Sequence, residues 1–120
     1  MKMVPLFRCD DLAGALKFYT EVLDFQVEAG GSADDFVVSI LRDDVELMLT
    51  RLSEQKEATA AHLVVNDADA LFAAWTLRGL DQSHRVDSPV HQGPVDQTWG
   101  TREFYVTDPC GNTLRIVQRR

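Results

Sequence analysis

Hydrophobic and polar residues along the first half of the chain alternate in patterns that predict one helix and several strands. In residues 10–23, apolar side chains recur every three or four residues, which is the spacing of an amphipathic helix. In residues 45–51, apolar and polar side chains alternate as they do in a half-buried strand. The sequence predicts four strands around the helix, at residues 3–9, 25–29, 36–41 and 45–51. Pro5 suggests that the first of them lies at an edge.

The second half repeats this order after a polar linker at residues 53–59. It begins with a strand at 61–65 and a helix that starts at Asp67 or Asp69 and ends near Gly79. A strand around 84–87 comes next, followed by a loop at 88–98 in which two prolines and a glycine exclude regular structure. Since long loops in small domains are often functional, we expect this loop to deliver Trp99 to a site.

Shifting the first half by 56 residues places Asp11 on Asp67 and Tyr19 on Trp75, which identifies an internal repeat. We expect Trp75 to be a core residue. We expect Tyr19 to pack in the core with its hydroxyl near the surface. The fold class predicted is α+β, with residues 1–120 forming a single domain of two tandem β-α-β-β-β modules, at about residues 1–52 and 59–120.

A β-hairpin closes the chain at residues 99–117. Its turn, Asp108-Pro109-Cys110-Gly111, has the residues of a type I turn: Asp accepts a backbone hydrogen bond, Pro presets φ, and Gly ends the turn. The runs on either side are rich in β-branched and aromatic residues, as strands are. Trp99 lies at the mouth of this hairpin.

Composition and charge limit the classes of function. The net charge of −7 argues against nucleic-acid binding and favours a cationic or neutral ligand, although such a charge also serves solubility alone. Cys9 and Cys110 lack metal-type spacing, so we expect reduced thiols in a cytoplasmic protein. The N-terminal residues do not resemble a signal peptide, and no apolar run is long enough for a membrane span, so we expect no membrane partner.

Several motifs together resemble the vicinal oxygen chelate superfamily, which includes glyoxalases, extradiol dioxygenases, fosfomycin-modifying enzymes and bleomycin-resistance proteins. The resemblance covers nearly the whole chain, and the closing hairpin is most similar to the bleomycin-resistance branch. It implies a curved, cup-like mixed sheet with the helices on its convex side. The motifs are Asp11-Leu12, Phe18-Tyr19, Leu23-Asp24-Phe25, Trp99-Gly100 and Asp108-Pro109-Cys110-Gly111-Asn112.

The resemblance also allows a test for metal chemistry. Metalloenzymes of this superfamily take ligands from four positions, which fall here near Val4, on Glu46, near Ala60 with His62 on the same face, and on Arg115. Only Glu46 can ligate in place, so we predict neither a metal nor another cofactor. Glu46 and Arg115 are expected at equivalent positions of the two modules, where they either pair or both reach solvent at the rim.

No nucleophile lies close to a base in the sequence, so no catalytic residue is assigned, although Glu46 alone could act as a base. The resemblance implies a homodimer that sequesters an aromatic, cationic antibiotic without chemistry. Trp99 would stack on the ligand or, alternatively, would plug the dimer interface or the mouth of the cup. Two other functions stay open: a metal-dependent glyoxalase-like or dioxygenase-like enzyme with a degenerate site, and a binding module for an unrelated metabolite. The predicted ligand-binding residues are Trp99, Glu46, Met48, His62, Phe36, Val38, Tyr105 and Arg115.

Overall fold

Two four-stranded mixed sheets and two α-helices make up the computed structural model, which describes residues 1–52, 57–81 and 87–120. The first sheet has the strand order β1-β4-β3-β2, with β1 and β4 parallel and the other neighbours antiparallel. The second has the matching order β5-β8-β7-β6, with β5 and β8 parallel. The predicted α+β class with two β-α-β-β-β modules is therefore confirmed, and β1 is an edge strand as Pro5 suggested. The elements are β1 (Leu6–Arg8), α1 (Leu12–Lys17), β2 (Gln26–Val27), β3 (Val37–Arg42), β4 (Val45–Thr50), β5 (Ala60–Val64), α2 (Ala68–Leu77), β6 (Val95–Asp96), β7 (Thr101–Thr107) and β8 (Thr113–Arg119).

The contacts divide the chain into two units. One unit comprises Met1–Thr59 together with the turn Asp108–Asn112, and the other comprises Ala60–Thr107 and Thr113–Arg120. The turn between β7 and β8 therefore belongs to the first unit, although both of its strands belong to the second. The assignment of residues 1–120 to a single domain stays a prediction.

The first unit forms its helix as the sequence predicts. The Asp11 carboxylate accepts a hydrogen bond from the Gly14 amide at 3.0 Å, which satisfies one of the free N–H groups at the start of α1. The helix then continues as a π-helical turn at Phe18–Val22. The predicted apolar face is buried at Leu12, Ala15, Leu16, Tyr19 and Leu23, and half-buried at Val22.

The expected position of the Tyr19 hydroxyl is wrong. Tyr19 is completely buried, and its hydroxyl donates a hydrogen bond of 2.7 Å to Asp108, which is 89 positions away in the sequence. A buried hydroxyl needs a partner, and the Asp108 carboxylate supplies one inside the first unit. Burial, followed by the charge of Asp108, raises the pKa of Tyr19 well above its ordinary value.

The turn that carries Asp108 has the hydrogen bonds expected from its sequence. One oxygen of the Asp108 carboxylate accepts from the amides of Cys110 and Asn112, each at 2.9 Å, and the Asp108 carbonyl accepts from Gly111 at 3.0 Å. Gly111 has φ of +89°, a value that glycine adopts without strain. The Asn112 side chain also donates to the Arg8 carbonyl at 2.9 Å, so the turn is fixed to the end of β1.

The second unit repeats the helical features of the first. The Asp67 carboxylate accepts from the Ala70 amide at 3.0 Å, and α2 ends just before Gly79, whose φ is +103°. Trp75 is completely buried and packs edge-to-face on Phe104, with 5.8 Å between the ring centroids. The 56-residue shift therefore relates two capping aspartates and two buried aromatic residues, as predicted.

The segment before Trp99 is more regular than its prolines and glycine suggest. Pro89–His91 forms a 3-10 turn, where proline is tolerated because its missing N–H has no helical partner at that position. β6 pairs with β7, so the predicted absence of regular structure at residues 88–98 is wrong. The strand expected around residues 84–87 lies mostly outside the described residues, and Asp87 is in a turn. Among the helices described here, none has the length and apolar character needed to cross a membrane.

Candidate ligand-binding face

One face of the second sheet carries polar side chains, and the register of its strands determines which ones. Directly opposite residues in neighbouring strands share a face, and Arg115 lies opposite both Tyr105 on β7 and His62 on β5. Phe104 and Ile116 point the other way and are buried. We call the side that carries Arg115 the polar face. Its polar members are His62, Thr101, Glu103, Tyr105, Thr107, Thr113, Arg115 and Arg119, and it also carries Ala60, Val64 and Val117.

Glu103 is the buried centre of the polar face, with 2% of its side chain exposed. One of its carboxylate oxygens accepts from the Trp99 indole N–H at 2.9 Å and from the Thr101 hydroxyl. The other accepts from the Tyr105 hydroxyl at 3.1 Å and lies 3.5 Å from the Arg115 guanidinium. Burial acts to raise the pKa of Glu103, but these donors outweigh it and hold the pKa below its ordinary value. Glu103 is thus a buried, charged and fully hydrogen-bonded carboxylate.

Arg115 lies against Tyr105 as well as Glu103. Its Nη2 donates to the Tyr105 hydroxyl, and its guanidinium carbon lies 4.7 Å from the centroid of the Tyr105 ring. Its Nε is buried and has no hydrogen-bond partner within the described ranges. About a third of the Arg115 side chain remains exposed. Arg115 is therefore fixed at one side of its guanidinium and unpaired at the other.

His91 connects the preceding loop to the same face. Its Nδ1 lies 2.9 Å from the Ser88 hydroxyl, and its Nε2 lies 3.1 Å from the Thr107 hydroxyl on β7. The His91 ring also meets Tyr105 edge-to-face, with 5.7 Å between centroids. Residues 88–91 are therefore fixed to β7 near the polar face by two contacts of the His91 side chain, to Thr107 and to Tyr105.

The Trp99 side chain is hydrogen-bonded at its indole N–H and is otherwise largely exposed to solvent. Its N–H is fixed by buried Glu103, yet 64% of the residue is exposed. An indole with a fixed edge and an open ring can stack on a planar ligand at little entropic cost. His62 is exposed on the same face, and it forms no hydrogen bond with any described residue.

The predicted site residues of the first module lie in the first unit. Glu46 accepts hydrogen bonds from Lys2 at 2.7 Å and from Ser39 at 3.0 Å, which lower its pKa from the ordinary value. Met48 lies on the same face as Glu46 and is half-buried. Phe36 precedes β3 and is 60% exposed.

Val38 does not share a face with Met48, so that part of the predicted lining is wrong. It lies opposite Leu49, and both are buried on the other side of the sheet. The reason is the length of the turn at Asp43-Asp44: with two residues there, even positions of β3 share a face with odd positions of β4.

The register also corrects the expected equivalence of Glu46 and Arg115. The 56-residue shift takes Leu6 to His62; Leu6 lies opposite Met48, and His62 lies opposite Arg115. The counterpart of Arg115 is therefore Met48. Glu46 and Arg115 each have partners inside their own unit, and a pairing between the two stays a prediction.

The residues at the four positions carried over from metalloenzymes do not fit a metal ion. Val4 and Ala60 have no ligand atom, and Arg115 is a cation. Glu46 is in an ion pair with Lys2. Across residues 1–52, 57–81 and 87–120, no group of three or more His, Cys, Asp or Glu side chains is placed to hold a metal.

A small pocket of about 270 Å³ lies in the first unit beside the hairpin turn. Half of its lining residues are charged, and Arg8 is paired there with Asp10 at 2.9 Å. Burial raises the pKa of both the Cys9 and the Cys110 thiol, so neither is a ready nucleophile. Volume and polarity make this pocket a poorer ligand site than most, since binding pockets are usually larger and more apolar. Its residues include Arg8, Asp10, Asp11, Glu57, Pro109 and Cys110.

The two β-α-β-β-β modules define the class of this protein, and comparison with known families agrees with it. Residues 4–116 match the glyoxalase/bleomycin resistance protein/dioxygenase superfamily, so the chain belongs to that superfamily. The resemblance identified from the sequence motifs is thereby confirmed. No curated protein sequence matches the chain significantly.

Solved structures of the superfamily share the fold over nearly the whole chain. The bleomycin-binding protein of bleomycin-producing Streptomyces verticillus, solved with copper(II)-bleomycin, is 26% identical, with a TM-score of 0.74 over 100% of this chain and 97% of that one. The bleomycin resistance determinant encoded on transposon Tn5 is 18% identical, with a TM-score of 0.79 and coverages of 100% and 98%. A glyoxalase-related enzyme from Clostridium phytofermentans is also 18% identical, with a TM-score of 0.75 and coverages of 100% and 95%.

Proposed function

We propose that this protein is a metal-free binding protein for a planar aromatic small molecule, such as an antibiotic of the bleomycin type. The observation that carries the proposal is Trp99, an indole whose edge is fixed by buried Glu103 while 64% of the residue is exposed. A planar or cationic group stacked on such a ring gains about 0.5–1.5 kcal/mol beyond the area it buries. The similarity to a bleomycin-binding protein of Streptomyces verticillus supports the choice of ligand class.

The donor set argues for binding rather than for a metal-dependent enzyme. Three of the four carried-over positions hold residues that cannot ligate a metal, and the fourth, Glu46, has Lys2 as its counter-ion. Elemental analysis of the purified protein separates the two functions. A stoichiometric divalent metal that is lost in both Glu46→Gln and His62→Thr would contradict the proposal.

We further propose, on the resemblance alone, that the protein acts as a cytoplasmic homodimer. In the bleomycin-resistance branch the binding crevices lie between two subunits. Light scattering after size-exclusion chromatography would measure the mass directly. A monomer of 13.5 kDa at binding concentrations would contradict the dimer but leave the proposed role of Trp99 unchanged.

Titration with bleomycin, followed by tryptophan fluorescence and calorimetry, tests the proposed function. Wild-type protein is expected to show a saturable change in fluorescence, because the exposed indole of Trp99 would be covered. In Trp99→Phe, only the buried Trp75 remains to report, so we expect no change in fluorescence and a several-fold weaker affinity by calorimetry.

Leu77→Ala is the matched control, because Leu77 is an exposed apolar residue of the same unit on the outer surface of α2. It should bind as the wild type does. Equal affinity of wild type and Trp99→Phe would refute the role of Trp99. Absence of saturable binding in the wild type would remove bleomycin-type ligands as candidates.

A further inference from the structure

We propose that the polar face recognises a carboxylate on its aromatic ligand through Arg115 and His62, next to the ring that stacks on Trp99. The inference rests on the aromatic site of the proposed function. It replaces the cationic, bleomycin-type ligand named there as an example by an aromatic carboxylate. It also departs from the cationic ligand that the net charge suggests. Four observations on the second unit support it.

The first observation is that Glu103 has no capacity left for a cation. Its two oxygens already accept from Trp99, Thr101 and Tyr105, and its charge is balanced by Arg115 at 3.5 Å. A cationic ligand would have to displace one of these donors from a carboxylate that is 2% exposed. The one buried negative charge of the face is therefore already neutralised and cannot attract a cation.

The second observation is that Arg115 has donors to spare. Its hydrogen bond to Tyr105 and its ion pair with Glu103 both use Nη2. Within the described part of the chain no acceptor meets Nη1, and about a third of the side chain is exposed, whereas Nε is buried out of reach of a ligand. A guanidinium donates in a planar fork that matches a carboxylate better than any neutral group. Tyr105 and Glu103 hold that fork in place before a ligand arrives.

The third observation is the position of His62. It lies directly opposite Arg115 on the neighbouring parallel strand, so the two side chains leave the same face about 5 Å apart. His62 is exposed and makes no hydrogen bond with the described residues. An imidazole N–H and a guanidinium at this spacing can donate to the two oxygens of one carboxylate.

The fourth observation is that the hydrogen bonds connect this pair to Trp99. The indole is bonded to Glu103, and Glu103 is bonded to Tyr105, which lies directly opposite Arg115 on the sheet. One compact ligand can therefore place its aromatic ring on Trp99 and its carboxylate at Arg115. The net charge of −7 does not oppose this, because distant surface charges are screened beyond about 10 Å whereas the local pair is not.

Three probes of equal ring size test the inference: 2-naphthoate, 2-naphthamide and 2-naphthylmethylammonium. Affinities are measured by calorimetry and by the NMR shift of the Trp99 indole N–H, at one fixed salt concentration. We expect 2-naphthoate to bind about tenfold or more tightly than the amide, as a charge-assisted hydrogen bond would give, and the ammonium to bind most weakly.

The test uses conservative variants, because these are expected to fold as the wild type does. Arg115→Lys keeps the positive charge beside Glu103 but removes the planar fork, and His62→Thr changes an exposed strand position. Each should reduce the preference for carboxylate over amide several-fold. Val64→Thr is the control on the same strand and face, at a position 49% exposed, and should leave the preference unchanged.

The outcomes separate this inference from the proposed function. Tightest binding of the ammonium, or a carboxylate preference that is the same in Arg115→Lys, His62→Thr and wild type, overturns the carboxylate subsite. Equal binding of all three probes that is lost in Trp99→Phe overturns only the subsite and keeps the aromatic site. Failure of every probe to bind at millimolar concentration overturns both the carboxylate subsite and the proposed aromatic binding site.

Discussion

Replacing Glu103 by glutamine should destabilise the second module more than any other change of one atom on the polar face. The glutamine side chain has the same size, but one acceptor oxygen becomes an NH₂ donor. If that NH₂ replaces one oxygen, it faces the N–H of Trp99 and the hydroxyl of Thr101; if it replaces the other, it faces Tyr105 and Arg115. In either orientation the NH₂ meets one group that can only donate, either the Trp99 indole or the Arg115 guanidinium, although the hydroxyls can turn to accept.

The structure sets the magnitude of the loss. A buried donor left without an acceptor costs about 1–3 kcal/mol. Arg115 also loses its counter-charge, but because it is a third exposed, water compensates most of that loss, which we take as about 1 kcal/mol or less. We therefore expect Glu103→Gln to lower the free energy of unfolding by about 1–4 kcal/mol. This is a large part of the total stability of a small domain.

Urea denaturation followed by far-UV circular dichroism measures this loss, and Glu46→Gln is its matched control. Glu46 is also a strand carboxylate with two partners, but it is 21% exposed and its partner Lys2 is 58% exposed. The control should therefore lose much less stability. A loss below about 0.5 kcal/mol for Glu103→Gln, or one equal to the control, would refute the reasoning that Glu103 is a buried, saturated acceptor.

The pH dependence gives a second check on the same carboxylate. Its hydrogen-bond donors hold the folded-state pKa of Glu103 below the ordinary value of 4.5. A carboxylate with a lowered pKa contributes stability above its unfolded-state pKa, and that contribution is lost as the pH falls through the folded-state pKa. The gap in stability between wild type and Glu103→Gln should therefore shrink as the pH falls below 4.5. A gap of constant size from neutral pH to pH 3 would contradict the assigned charge.

Three further predictions concern hydrogen bonds inside each of the two units. Tyr19→Phe should lose about 1.5–3 kcal/mol in urea denaturation, because the lost hydrogen bond has a charged acceptor, Asp108; a loss below 0.5 kcal/mol would contradict that bond. Since burial raises the pKa of Tyr19, wild-type stability should decline as the pH rises above the unfolded value of about 10, and Tyr19→Phe should lack this part of the decline. Asp11→Ala and Asp67→Ala should each cost about 1 kcal/mol, because both caps accept one amide at 3.0 Å; clearly unequal losses would argue against their equivalence.

Most of the fold could be predicted because its signals are local. The Asp11 and Asp67 caps, the glycine after α2 and the Asp108 turn each act within four residues of themselves. A sequence pattern shows such interactions directly, and the repeat adds a second copy of each helix signal. The shortness of β1 and β2 could not be predicted, since strand ends depend on partners from distant parts of the chain.

The candidate site was only partly predictable, and the errors have two physical causes. The hydrogen-bond partner of Tyr19 could not be predicted from the sequence, because Asp108 is 89 positions away. The side assigned to Val38 depended on the exact length of one turn, and a shift of one residue inverts every side chain of a strand.

Glu103 was missed for a different reason. A glutamate in a strand is normally an exposed residue, and nothing in composition separates a buried one from the rest. A signal was nevertheless present, because Trp99, Thr101, Glu103 and Tyr105 follow one another at intervals of two. Alternate residues of a strand share a face, so three side-chain donors, two in β7 and one just before it, accompany one acceptor.

The two modules differ in their polar chemistry at two equivalent positions of their sheets. Their helix caps and buried aromatic residues correspond, which shows that the frame is the same in both. At equivalent positions of the two sheets, however, Leu6 and Met48 of the first correspond to His62 and Arg115 of the second. The first pair is apolar and has no donor, whereas the second pair provides imidazole and guanidinium donors beside a saturated carboxylate. At these two equivalent positions, only the second module offers directional hydrogen-bond donors, which is why the proposed carboxylate subsite is placed on its polar face.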